Sequence, residues 1–191
     1  MNVYDFDGVI YDGESTVDFF LFCLKKKPGL IKNLPQILNI AILHKRNKLS
    51  IDRLLEAANR ITTGFIKNNV DFDLFAREFW KQHAKNLKPK FMSQLTDQDV
   101  IITASPYFLI QEILPELGVA DTICSDIDVE TGEFKYPNFG ANKVRAFKQK
   151  YPHVQIEAFY TDSLSDTPMM EMAEQAFIVQ GDTVSAKNAC K

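Results

Sequence analysis

The chain has 191 residues, 46% of them hydrophobic and 25% charged, an ordinary globular balance that allows one larger domain or a core plus an insert. Its net charge of −3 leaves no basic footprint for nucleic acid, which is not expected as a partner. Three widely spaced cysteines (Cys23, Cys124, Cys190) suggest neither a disulfide framework nor a zinc site, and His44, His83 and His153 lack ligand spacing.

Residues 2–10 read as a short buried strand running into a loop, with Asp12-Gly13 as a turn. Asp5 and Asp7 stand where a secretory signal would need apolar residues, so a cytoplasmic location is expected. From about residue 15 to residue 94 the pattern is helical. Ser15 is placed to cap one run and Ser50 another, while Pro28, Pro35, Gly64 and Pro89 punctuate the stretch. The apolar runs 17–24 and 37–43 fall short of the roughly 18 to 20 residues a spanning helix needs. Lys25, Lys26 and Lys27 lie between them. An anionic membrane surface is therefore one reading of this part, and a buried helical face beside a solvated lysine turn is the favoured one.

After residue 95 the rhythm changes. Residues 100–103 read as a strand and 107–117 as a helix ending before Gly118. Residues 122–129 and 133–136 suggest a hairpin turning near Thr131-Gly132. A helix over 142–150 follows, then strands at 156–160 and 176–179 around a helix at 168–174. Alternation of strand and helix predicts an α/β protein with a mostly parallel sheet.

In such sheets sites form at the carboxyl ends of strands. Four predicted ends carry polar residues: Asp5 with Asp7, Thr103 with Ser105, the 140–143 loop with Lys143, and Asp162 with Asp166. Each has a plain alternative. The first D-x-D can be a solvated turn, Thr103 and Ser105 can cap the next helix, Lys143 is one lysine among many, and Asp162 and Asp166 can belong to a capping loop. A paired carboxylate, however, costs stability through repulsion unless a cation or a shared proton relieves it. A second D-x-D, Asp126-Ile127-Asp128, reads as an exposed strand with no role in chemistry.

Taken in order, Asp5-Phe6-Asp7-Gly8-Val9, Ile102-Thr103-Ala104-Ser105, Lys143 and Thr161-Asp162-Ser163-Leu164-Ser165-Asp166 resemble motifs one to four of the haloacid dehalogenase (HAD) superfamily. The resemblance spans nearly the whole chain and is nearest to the phosphoserine phosphatase-like branch, with its helical cap between motifs one and two. About 95 residues separate Asp7 from Thr103, room for such a cap, and only about 40 separate Thr103 from Lys143. The resemblance implies a doubly wound, Rossmann-like core at 1–13 and 86–191 with the cap at 14–85.

It also implies roles. Asp5 would be the nucleophile forming an aspartyl-phosphate, and Asp7 the acid and base. Mg2+ would bind the Asp5 carboxylate, the Asp7 backbone carbonyl and Asp162, with Asp166 in support. Thr103, Ala104 and Lys143 would hold the phosphoryl group of a small phosphorylated substrate. Asp7 separates the chain from the dehalogenase branch, which lacks this carboxylate and needs no metal. Thr161 stands where motif four often has glycine, and Val9 replaces a more frequent threonine; neither change removes a ligand. Glu14 matches the position that binds the amine in phosphoserine phosphatases. The arginine that binds the serine carboxylate has no counterpart in an ungapped alignment, which puts Glu56, Ala57 and Ala58 there, with Arg53 and Arg60 about one turn away. A phosphomutase, a phosphatase of phospholipid head groups and a catalytically silent binding protein remain the other readings.

Overall fold

The computed structural model of the chain describes residues 1–45, 51–119 and 121–187. Ser50 and Cys190 from the readings above lie outside them. Among the described residues one sheet of seven strands has the order β4-β3-β2-β1-β5-β6-β7. These are β1 Asn2–Tyr4, β2 Val100–Pro106, β3 Asp121–Ile127, β4 Phe134–Tyr136, β5 Ile156–Thr161, β6 Ala173–Gln180 and β7 Thr183–Ala186. The inner pairs are parallel, while β4 and β7 close the edges antiparallel.

The central strands carry apolar side chains on both faces because both faces are covered. Val3, Val100 and Ile102 point into one cluster, with Phe147, Phe159, Met169 and Met170. Their neighbours Tyr4 and Ile101 point into the other, with Phe6, Tyr11, Phe19, Phe79 and Trp80. The first cluster is closed by α8 (Ala141–Lys150) and α9 (Thr167–Met170).

The second is closed largely by the helices inserted between β1 and β2: α1 Ser15–Lys26, α2 Leu34–Lys45, α3 Ile51–Ile66 and α4 Phe72–His83, followed by the short α5 Pro89–Met92. Phe19 is the hinge of this packing, with ring contacts to Phe20, Phe72, Phe79 and Phe108. Trp80 Nε1 ties α4 to the segment that follows β2 by donating to the Leu109 carbonyl at 2.7 Å. Two further bonds join α3 to the β3–β4 hairpin: the Thr62 hydroxyl donates to the Gly132 carbonyl, and the Phe134 amide to Asn59 Oδ1.

Several boundaries differ from the sequence reading, each for a local reason. Ser15 does not cap α1; Glu14 is the N-cap residue and makes no side-chain cap bond, while the Ser15 amide donates to Asp7. Gly64 does not end a helix but lies inside α3, where a Cβ would come within 3.3 Å of the Asn33 side chain. The helix expected at 107–117 is two short ones, α6 Tyr107–Ile110 and α7 Leu114–Leu117, because Pro115 cannot donate back across the break. Glu174, expected in a helix, lies in β6, and β7 was not foreseen.

Candidate active site

The order of strands places the site. From β1 the chain passes to β2 and β3 on one side and to β5 and β6 on the other, so the carboxyl ends of β1 and β5 flank the point where direction reverses. Asp5 follows β1 directly and Asp162 follows β5. Between them opens a cavity of about 380 Å3 lined by Asp5, Asp7, Glu14, Ala104, Lys143, Asp162 and Asp166, among others. That size suits a small ligand. Seven of the eight residues expected from the sequence thus meet in one place.

The eighth, Thr103, is fully buried and outside the lining; its hydroxyl accepts the Ser105 amide at 3.0 Å. Lys143 lies in the first turn of α8, within the helix expected over 142–150 and at the end of the 140–143 segment.

The two aspartates of the first D-x-D occupy different surroundings. Asp5 Oδ2 lies 3.0 Å from Lys143 Nζ, and Lys143 also donates to Asp166 Oδ2 at 2.8 Å. The lysine is 2% exposed, and a buried ammonium persists only when paired. Burial works against its charge, but Asp166 and Asp5 more than offset this and hold the proton on. Thr161 completes the cluster by donating to Asp166 Oδ2 at 3.0 Å and accepting the Ser163 amide at 3.1 Å. The threonine in place of glycine is thus used as well as accommodated.

Asp7 faces the inserted helices. Its Oδ1 accepts the Ser15 amide at 2.6 Å and its Oδ2 the Ser105 hydroxyl at 2.7 Å. Ser105 in turn meets Ser15 Oγ at 2.9 Å and Thr16 Oγ1 at 2.8 Å. A carboxylate at the start of a helix is favoured by the exposed amides and the helix dipole. Burial nevertheless pushes the Asp7 carboxyl above its usual range, with Ser105 and Ser15 opposing. Burial raises Asp5 well above that range too, Lys143 opposing and Asp166 adding. For Asp162 burial again comes first, with the charge of Asp7 next.

The remaining alternatives resolve at specific atoms. Ser163, not an aspartate, caps the turn at Leu164–Asp166 by accepting the Ser165 amide. Neither Thr103 nor Ser105 caps α6, whose N-cap is Pro106. Asp128 of the second D-x-D accepts the Glu130 and Thr131 amides in the hairpin turn and is not part of the cavity's lining.

Gly8 has φ +71°, and a Cβ there would fall 2.2 Å from Asp162 Oδ2. The Asp162 carboxylate therefore rests directly on the loop between Asp7 and Val9. Five carboxylates and one ammonium line the cavity among the described residues, an excess of negative charge that calls for a cation or bound protons. No cluster of three or more His, Cys, Asp or Glu side chains among these residues encloses a metal by itself. Asp5, Asp162 and a backbone oxygen of the loop are hard donors, and such a partial set suits magnesium, which keeps several waters.

Four supporting residues were not anticipated. The β2–β3 register shifts between Ile102 and Pro106, and Asn138 fills the gap, its amide nitrogen donating to the carbonyls of Thr103 (3.0 Å) and Ile123 (2.8 Å). Ser125 accepts the Asn138 amide and donates to the Ala104 carbonyl at 2.7 Å. Ser15 and Thr16 hold Ser105. Nothing in their local sequence marks them, since each acts on a strand distant in the chain.

Comparison with known proteins agrees with this layout. The family model of haloacid dehalogenase-like hydrolases matches residues 3–171. A Bordetella pertussis Tohama I protein described as of unknown function shares 18% identity over 92% of this chain and 87% of its own, with a TM-score of 0.73. A phosphoserine phosphohydrolase-like protein from Francisella tularensis shares 19% over 92% and 86%, with a TM-score of 0.62. Phosphoserine phosphatase from T. onnurineus shares 17% over 92% and 81%, with a TM-score of 0.59. No curated protein sequence matches the chain.

Proposed function

The chain belongs to the haloacid dehalogenase-like hydrolases, and from that premise we propose a magnesium-dependent phosphatase that hydrolyses a small phosphomonoester through an aspartyl-phosphate on Asp5. The observation that carries the reading is the division of the D-x-D pair: Asp5 beside a buried ammonium, Asp7 beside neutral donors. Two carboxyl groups in unlike surroundings can take unlike roles.

In the proposed sequence Asp5 attacks phosphorus, the bond to the leaving oxygen breaks, and Asp7 gives that oxygen a proton to release an alcohol. Asp7 then takes a proton from water, whose oxygen attacks phosphorus; the bond to Asp5 breaks and inorganic phosphate leaves. The raised pKa of Asp7 supports its starting protonated. Lys143 and the backbone of the 103–105 segment would hold the phosphoryl oxygens, with Thr103 shaping that segment from behind. Asp5, the Asp7 carbonyl and Asp162 would hold magnesium, with Asp166 fixing Lys143; when bound, the ion supplies charge neutralisation at the phosphoryl oxygens. The same reading takes 1–13 and 86–191 as the catalytic core and 14–85 as its cap.

Acid quenching during turnover of a 32P-labelled ester should leave label on the protein. Asp5→Asn should abolish both label and turnover while the circular dichroism spectrum stays native; retained turnover would remove Asp5 from the nucleophile role.

One observation favours a variant working at a membrane surface: Ile31, Leu38 and Ile42 are exposed on the inserted helices. Against it, Lys26 pairs with Glu78 and Lys27 binds the Asn68 and Asn69 carbonyls, so two of the three lysines are engaged within the protein. No helix among the described residues is long and apolar enough to cross a membrane. Sedimentation with anionic vesicles at low salt decides between them.

A further inference from the structure

Lys88 stands just before α5, where the chain returns from the inserted helices to the sheet, and it is 7% exposed. Its ammonium donates to the Gly8 carbonyl at 2.7 Å and to the Gly181 carbonyl, in the turn between β6 and β7, at 3.0 Å. The ring of Phe91 lies 5.8 Å away. Among the described residues no carboxylate pairs with it, which is unusual for a buried ammonium. An apolar side chain would fill the same space without desolvating a charge, so packing does not account for a lysine here.

The lysine approaches the catalytic loop from behind. It lines a separate cavity of about 280 Å3 with Asp12 and Gly181, and it is absent from the lining of the catalytic one. Its backbone is fastened to the same loop: the Lys88 amide donates to the Ile10 carbonyl, and the Asp12 amide to the Asn86 carbonyl, both at 2.8 Å. The ammonium therefore bonds to the backbone of this loop and not to a group lining the catalytic cavity.

What it fixes is the direction of a carbonyl. In a planar trans peptide the C=O and the N–H point opposite ways. The Gly8 amide donates to the Gly13 carbonyl at 3.1 Å, which sets the peptide that carries the Asp7 carbonyl. Lys88 sets the next peptide through the Gly8 carbonyl. The angle between the two planes is the conformation of Gly8, at φ +71°, and on this residue the Asp162 carboxylate rests. Two of the three groups proposed above to hold magnesium, the Asp7 carbonyl and Asp162, thus depend on how Gly8 is held.

We propose that Lys88 is a positioning residue for the metal site: by holding the Gly8 carbonyl it aims the Asp7 carbonyl and seats Asp162, and so raises the affinity for magnesium. The proposal rests on the magnesium-dependent reading above and adds a residue to it. Its sign is distinctive. Charge alone would act the other way, since removing a nearby cation should tighten the binding of another cation. Loss of positioning should weaken it.

The test compares Lys88→Met with Lys90→Met. Lys90 donates to the Asp182 carbonyl of the same turn and does not bond to Gly8. Mn2+, an octahedral stand-in for magnesium, is titrated on the resting protein by electron paramagnetic resonance, with Mg2+ as competitor. Both titrations are run where circular dichroism shows each variant fully folded. Lys88→Met should weaken both ions by about tenfold to a hundredfold, the range typical of residues that orient metal ligands, while Lys90→Met leaves them unchanged. Should Lys88→Met fail to fold, Lys88→Gln, too short to span both carbonyls, takes its place and should shift affinity the same way.

Affinity that is unchanged or tighter in the Lys88 variant, or lost equally in Lys90→Met, overturns the proposal. So does a wild type that binds neither ion. If Lys88→Met weakens the ions but the wild type hydrolyses no phosphomonoester, the positioning role stands and the phosphatase reading falls. If the wild type hydrolyses esters with magnesium and Lys88→Met keeps wild-type affinity, the reverse holds.

Discussion

The chain contains the pattern D-x-D twice, and the two copies have opposite fates. Asp5 and Asp7 follow a central strand buried on both faces, at the reversal point of the sheet. Asp126 and Asp128 end β3, where the sheet turns into an edge hairpin; Asp126 is exposed and Asp128 serves the turn through the Glu130 and Thr131 amides, with Lys135 at 3.3 Å. The two environments shift acidity in opposite directions. Burial raises Asp7, whereas backbone amides led by that of Thr131 lower Asp128. A dipeptide spacing states which residues can act together, but the strand's place in the sheet decides whether they are desolvated enough to do chemistry.

This contrast can be broken most severely at Lys143. Lys143→Met would leave Asp5 and Asp166 as buried charges without their cation, so unfolding free energy should fall by about 3–5 kcal/mol by urea denaturation, and turnover by a hundredfold or more. A stability change below 1 kcal/mol would show that these carboxylates are not relying on the lysine. Next comes Asp7→Asn, which keeps the shape but removes the proton. It should lower kcat about 100-fold, and single-turnover rates with esters of poorer leaving groups should suffer most.

Gly8→Ala tests the contact between loop and Asp162. The positive φ alone costs about 1–2 kcal/mol, and displacement of the Asp162 carboxylate should weaken magnesium binding, measured by titrating activity against the ion. Wild-type magnesium affinity in this variant would uncouple Gly8 from the metal.

The smallest effects carry the sharpest sign. A folded-state pKa above the unfolded value means the native state binds the extra proton, so Asp7 should add stability as pH falls from above its folded pKa toward 4. For Asp128 the folded value is lower, so its stabilisation is present above pH 4 and lost as pH falls through the folded pKa. Melting curves in EDTA should therefore show Asp7→Asn and Asp128→Asn changing the pH slope in opposite directions. Equal signs would contradict the division of the two pairs.

Much of the site was legible before the fold. Asp5, Asp7, Asp162 and Asp166 are charged residues at or just past the ends of apolar segments, and charge at such places is conspicuous because burying it is expensive, whereas Lys143, one lysine among many, was singled out only by its place in the order of motifs. Asn138 and Ser125 were not legible: they are ordinary polar residues whose work is to satisfy a register shift in strands β2 and β3. Ser15 was misread because a serine before an apolar run fits a local capping rule, while its actual partners, Asp7 and Ser105, lie eight and ninety positions away.

From sequence alone came the alternation of strands and helices, the long insert after the first strand and the ordered set of acidic, hydroxyl and lysine residues. The first two follow from periodicity and spacing, local properties of a chain, and the ordered set was picked out by its resemblance to the family's motifs. Only the tertiary structure decided how the two carboxylates of the first D-x-D part company and which residues far apart in the chain hold them. Those depend on strand order and on which helix faces meet across the sheet, contacts between segments far apart in sequence that no local pattern encodes.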